Sequence, residues 1–171
     1  MNEDEKHKEI WLPIVGYEGW YEISDLGRVK RVKAGRGTYI GRTLKIRADS
    51  HGYQQTFLYK NGEDNAILVH RIVMASFVGV CPTGKTVNHK DGDRTNNRLE
   101  NLEYITPSEN KIHAIRIGLC PTKLTKEDVH KIRGCLGKKP YKLIAACFNV
   151  SLPTIYDIAA GRTWAWLKEE E

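Results

Sequence analysis

The chain has 171 residues, enough for one large domain or two to three small ones. Its 27 Lys and Arg against 21 Asp and Glu leave a net charge of +6 and a pI near 9.1, a modest excess that points to nucleic acid only if it is clustered. No run approaches the roughly eighteen apolar residues of a membrane helix, and the charged start MNEDEKHKE is no signal peptide, so a soluble, cytoplasmic protein is expected. The four cysteines, Cys81, Cys120, Cys135 and Cys147, lack CxxC spacing and zinc-type Cys/His pairing; buried or idle thiols in a reducing compartment are expected.

After the charged start, Ile10–Ile14 and Gly16–Val29 read as short strands split by Gly and Ser-Asp turns. Trp11, Trp20 and Tyr21 are expected as large apolar fillers of a small core. The positive charge is clustered here: Arg28, Lys30, Arg31, Lys33, Arg36, Arg42, Lys45 and Arg47 fall between Leu26 and Ala48 with no acidic residue among them. A solvated face would carry interspersed carboxylates, so this segment is expected to bind phosphate. Arg28, Lys30 and Lys33 alternate with Val29 and Val32, giving one basic and one buried strand face.

Tyr53–Lys60 and Asn65–Val69 flank Asn61-Gly62, a strong hairpin turn. Apolar spacing from His70 to Phe77 predicts a helix packed on that sheet, with His70 a structural histidine at the junction. A short strand, Lys85–His89, ends in Asn88 and His89, side chains able to hold a metal or accept a proton. The polar loop Asp91–Asn97 and a second strand, Leu102–Ile105, follow. Thr106 then serves as helix N-cap, Pro107 sits at the first helical position and Glu109 completes a capping box. Asn110 and His113, three apart, share one helix face. Folded back on itself, this segment brings Asn88 and His89 against Asn110.

Beyond a linker at Leu119–Lys123, Thr125 caps a helix from Lys126 to about Leu136, with Val129, Ile132 and Leu136 on its apolar face. A second helix, Tyr141–Phe148, turns inward Ile144, Ala145 and Phe148. Asn149 takes a left-handed turn, and Ser151 caps a third helix, Leu152–Ala160, closed by Gly161. The tight link Phe148–Ser151 is helix-turn-helix spacing.

The segment VNHKDGDRTNNRLENLEYITPSENKIHA, Val87–Ala114, resembles the ββα-metal motif of HNH endonucleases of the phage and intron homing type. The resemblance makes His89 the general base, Asn101 the middle Asn that steadies the motif, and Asn110 the last metal ligand. Asn88 stands where relatives often carry Asp, leaving a neutral oxygen for the cation. The chemistry suits these types: a near-neutral imidazole takes a proton from water. Mg²⁺ (or Mn²⁺), held by few oxygen ligands, stabilises the departing 3′-oxygen. Lys90, Lys111 and His113 are candidates for phosphate contact.

The string GYEGWYEISDLGRVKRV resembles the NUMOD type of module found beside HNH nuclease domains, which implies DNA contact by Arg28, Lys30, Arg31 and Lys33. The C-terminal segment resembles the helix-turn-helix tails of such endonucleases. That resemblance aims the third helix at the major groove with Pro153, Thr154, Tyr156 and Asp157 exposed and Arg162 and Thr163 on phosphates. Trp164 and Trp166 would staple the tail.

The expected fold class is α+β in three parts: a β-rich NUMOD-like module at 1–50, an HNH ββα-metal nuclease domain at 51–118 and a helix-turn-helix at 119–171. The expected activity is metal-dependent hydrolysis of double-stranded DNA at a specific site. One catalytic motif per chain makes nicking by a monomer the default. Two other readings remain: a sequence-specific DNA-binding regulator with a vestigial nuclease centre, and a metal-stabilised scaffold.

Overall fold

The structure is a computed structural model that describes residues 8–35 and 38–168. Arg36 of the basic cluster, and most of the charged start, lie outside them. The chain divides into two compact units, Met1–Leu119 and Cys120–Glu171.

In the first unit, β1 (Trp11–Pro13), β2 (Tyr21–Ser24) and β3 (Val29–Arg31) form an antiparallel sheet, with Tyr21 opposite Arg31 and Ile23 opposite Val29. The inward positions Tyr21, Ile23 and Val29 are buried, as strand alternation dictates. A second antiparallel sheet holds β4 (Arg47–Ala48), β5 (Gln54–Lys60) and β6 (Glu63–Leu68). Lys60 pairs with Glu63, so Asn61 and Gly62 alone make the turn, at φ 55° and 93°. Two consecutive positive φ values are what a tight hairpin requires, and Asn-Gly tolerates both.

Helix α1 (Val69–Phe77) buries Val69, His70, Ile72, Val73 and Met74. Its apolar face shares one cluster with Tyr21, Ile23 and Val29 from the first sheet, Ile14 just after β1, Leu58 from the second sheet and Leu102 farther along the chain. The Tyr21 hydroxyl ties the two sheets directly, donating to the Tyr59 carbonyl at 3.1 Å. The segments expected as separate domains, 1–50 and 51–118, therefore share a single core. Neither sheet alone has enough apolar surface to close one.

Of the expected N-terminal core aromatics, only Tyr21 is buried; Trp11 and Trp20 are half-exposed. Trp20 still packs against the edge of the core cluster, and cations lie over both rings. Lys30 Nζ lies 4.0 Å from the Trp11 ring centre and Lys33 Nζ 3.6 Å from that of Trp20.

Strand β7 (Thr86–His89) pairs antiparallel with β8 (Leu102–Ile105), setting Asn88 opposite Glu103 and His89 opposite Leu102. A 3₁₀ turn at Leu99–Asn101 leads into β8. Helix α2 (Pro107–Arg116) starts on the expected capping box: Glu109 N–H donates to Thr106 Oγ1 at 3.3 Å and Thr106 N–H to Glu109 Oε2 at 2.7 Å. The Thr106 N–H and hydroxyl, both donating to Glu109 Oε2, hold that carboxyl below its ordinary range.

The second unit packs α3 (Lys126–Cys135), α4 (Tyr141–Cys147) and α5 (Leu152–Ala159) over Leu124, Val129, Ile132, Ile144, Ala145, Ile155 and Ile158. Thr125 and Asp128 form a capping box. Asn149 is left-handed at φ 51°. Ser151 stands at the N-cap of α5, but no backbone N–H reaches its side chain; its hydroxyl pairs with Thr154 Oγ1 at 2.9 Å. The four cysteines are free thiols, exposed or half-exposed rather than buried. Among the described residues no helix is long and apolar enough to cross a membrane.

Candidate active site

The end of β7, the loop after it and the first turns of α2 enclose a cleft of about 320 Å³. Asn88, His89, Asn110, Lys111 and His113 border it together, so the residues predicted to converge do converge. Tyr53 and Arg94 border it too.

His89 is buried, and the network around it assigns its tautomer. Asn97 uses its amide hydrogens on Gln54 Oε1 at 2.8 Å and on the Thr95 carbonyl at 3.2 Å. Its oxygen is thereby left to accept, and His89 Nε2 lies 3.1 Å from it. Nε2 therefore carries the hydrogen, and in the neutral ring Nδ1 is the nitrogen with the lone pair a general base needs. His70 stands edge-on to His89, ring centres 5.3 Å apart, and Tyr53 lies against both at 5.1 and 6.1 Å. Burial, then the neighbouring His89 and Arg71, lower the His70 pKa to about 4, against a weaker pull from Asp49. His70 is a neutral packing wall, and its Nδ1 is buried without a partner.

Asn88 is buried and donates its amide hydrogen to Glu103 Oε1 at 2.8 Å. Asn110 sits in the first turn of α2 beyond the capping box. His113 shares its helix face and donates from Nε2 to the Lys90 carbonyl at 3.0 Å, fastening α2 to the end of β7.

Asn101 does not face the cleft. Its amide donates to Asp91 Oδ1 at 2.9 Å and to the Asn96 carbonyl at 2.8 Å, and its oxygen accepts from Asp91 N–H at 3.1 Å. Every polar atom of the side chain is used to hold the loop, so it positions rather than reacts. Burial raises the Asp91 carboxyl, but bonds from Asn96, Asn101 and Asp93 outweigh it and leave the group below its ordinary range. Lys90 is outside the cleft as well, its ammonium donating to the Glu100 carbonyl at 2.8 Å. Arg94, by contrast, borders the cleft, and its guanidinium lies 4.8 Å from the Tyr53 ring centre.

The N-terminal turn buttresses this loop. Leu99 N–H donates to the Asp25 carbonyl at 2.7 Å, and Gly27, at φ 80°, approaches so closely that an added Cβ would sit 3.0 Å from Asn97 Cβ.

The predicted phosphate-binding cations Arg28, Lys30, Arg31 and Lys33 lie away from the cleft. Arg28 pairs with Glu9, Lys30 with Glu22 at 2.9 Å, and Arg31 donates to the Tyr21 hydroxyl at 2.9 Å. In the second unit Pro153 and Tyr156 are exposed, Thr154 and Asp157 half-exposed, and Arg162 is paired with Asp157 at 2.7 Å. Sequence reasoning missed Tyr53, Arg94, Asn97 as a His89 partner, and Glu103. Only Asn97 carried a local signal, as part of the Asn96-Asn97 pair inside the motif.

Residues 68–112 match the HNH endonuclease family and residues 9–59 the NUMOD4 motif. The NUMOD4 match thus takes in β5 as far as Tyr59, a segment expected with the nuclease part. The chain is 37% identical over 100 residues to the DNA endonuclease I-HmuI of Bacillus phage SP01, covering 58% of this chain and 54% of that protein. It is 41% identical over 104 residues to YosQ, a prophage-derived protein of Bacillus subtilis named for HNH homing endonuclease activity, with the same coverage. The chain spans about half the length of these curated relatives. A solved structure described as DNA binding and cleavage by the HNH homing endonuclease I-HmuI aligns with a TM-score of 0.57 and 27% identity, over 89% of this chain and 90% of that one. The site residues thus lie in or beside the segment that matches the HNH endonuclease model, and a NUMOD4 motif precedes it in the chain.

Proposed function

We propose that this protein is a site-specific, divalent-metal-dependent DNA endonuclease that nicks one strand of a duplex as a monomer. The observation that carries this reading is the buried His89, its Nε2 hydrogen committed to Asn97, in one cleft with Asn88 and Asn110. His89 Nδ1 takes a proton from the attacking water, and Asn97 holds the ring as its charge develops. Arg94 and Lys111, bordering the same cleft, neutralise the phosphate. His113 keeps α2 and β7 in register.

The donor set fits a hard cation. Asn88, with its amide hydrogen on Glu103, has its oxygen left over, and Asn110 offers a second amide oxygen. Among the described residues no cluster of three His, Cys, Asp or Glu side chains competes with them. Asn88 and Asn110 would hold Mg²⁺ or Mn²⁺, which supplies charge stabilisation at the departing oxygen.

For the duplex, the NUMOD4 cations Arg28, Lys30, Arg31 and Lys33 offer phosphate contacts, each exchanging an internal partner for phosphate. The helices α4 and α5, joined through left-handed Asn149, form a helix-turn-helix that presents Pro153, Thr154 and Tyr156 to base edges and Arg162 to the backbone. Four free thiols fit a reducing, cytoplasmic setting.

Supercoiled plasmid carrying host target sequence, incubated with Mg²⁺, with Mn²⁺ and with EDTA, tests the reading. Open circles that require the metal are expected. Linear product would replace the monomer by a dimer. Intact supercoils throughout, with salt-sensitive binding of the same DNA, would overturn the enzyme and leave a DNA-binding regulator.

A further inference from the structure

An asparagine amide has two ends of nearly equal size, and only the oxygen end can ligate a cation. Turned by half a rotation, Asn88 would present its NH₂ group to the cleft and repel the ion. Something must choose between the two orientations. The cross-strand register sets Glu103 directly opposite Asn88, and Glu103 Oε1 accepts the Asn88 Nδ2 hydrogen at 2.8 Å. An ionised carboxylate only accepts, so it cannot partner the oxygen end.

We propose that Glu103 is the positioning residue of the cation site, holding the Asn88 amide so that its oxygen faces the cleft. The inference rests on the reading of Asn88 as a ligand. It also accounts for the neutral residue at 88. With Glu103 at hydrogen-bond distance, an aspartate there would set two carboxylates against each other, whereas the Asn–Glu pair shares the work. Asn88 supplies the oxygen atom, and Glu103 supplies the negative charge one shell further out. Glu103 does not border the cleft, so it acts through Asn88 and not on the phosphate.

The test reads metal binding rather than turnover. Mn²⁺ is titrated into the full-length protein and the free ion followed by electron paramagnetic resonance, for wild type, Glu103→Gln, Asn88→Asp and the double variant. Thermal unfolding without metal verifies the fold of each. A glutamine side chain offers both an oxygen and an NH₂ group to the Asn88 amide and lets it rotate, so Glu103→Gln should weaken Mn²⁺ binding about 10- to 100-fold. Adding Asn88→Asp to Glu103→Gln should restore it, because both carboxylate oxygens can ligate and the like charge is gone. Asn88→Asp in the presence of Glu103 should bind less tightly than the double variant. Glu103→Gln binding Mn²⁺ as wild type does would overturn the positioning role while leaving Asn88 as a ligand. Wild type that binds no Mn²⁺, alone or with duplex DNA, would overturn the ligand reading and this inference with it.

Discussion

The buried oxygen of Asn97 faces His89 Nε2 at 3.1 Å, and this one contact decides which imidazole nitrogen is basic. Asn97 can accept there only because Gln54 and Thr95 have already taken its hydrogens. Asn97→Ala removes the constraint on tautomer and ring. Single-turnover nicking should fall by about 100-fold, the scale of a misplaced general base, with DNA affinity nearly unchanged. Parallel measurement of nicking rate and duplex Kd separates the two.

Gly27 should be sensitive for a reason unrelated to chemistry. Its left-handed backbone and its close approach to Asn97 leave no room for a side chain. Gly27→Ala should cost about 1–3 kcal/mol in urea denaturation, from backbone strain and displacement of Asn97. It should also slow nicking although it lies in the NUMOD4 segment.

His70 gives the fold a pH dependence. Its folded pKa of about 4 lies below the ordinary value of 6.5, so the unfolded chain binds the proton more readily. Above pH 6.5 the ring is neutral in both states and protonation costs nothing, and stability is lost as pH falls from 6.5 toward 4. A difference of that size is worth about 3 kcal/mol. Urea midpoints of wild type and His70→Gln, followed from about pH 7.5 to about pH 4.5, should converge as the wild type loses this contribution. Parallel curves would contradict the assignment.

The cleft-bordering cation should matter more than the one adjacent in sequence to His89. Arg94→Ala removes a guanidinium from the cleft and should slow nicking about 10-fold or more. Lys90→Ala removes an ammonium bound to the Glu100 carbonyl and should leave the rate within about 3-fold. Rates at saturating protein test the order.

Local chemistry made much of this site legible. The start of α2 is written in Thr106, Pro107 and Glu109, and the β5–β6 turn in Asn61-Gly62, because caps and tight turns depend on a few adjacent residues. The convergence of Asn88, His89 and Asn110 followed from a compact motif. What stayed hidden comes from distant segments. Gln54 reaches Asn97 across 43 positions, Arg94 reaches the His51 carbonyl across 43, and Tyr21 meets Tyr59 across 38. Such contacts leave no periodicity behind. The same holds for the shared core, since each sheet alone reads as a plausible small domain. Trp11 misled because a tryptophan covered by a lysine side chain looks in sequence like a buried one.

Everything proposed for the chemistry turns on His89 being the base. The single-turnover nicking rate of His89→Ala decides it, taken with Mg²⁺ and every DNA molecule bound, beside the duplex Kd of the same variant. A rate at least about 100-fold below wild type, with an unchanged Kd, is the predicted result. A rate within a few-fold of wild type would contradict it.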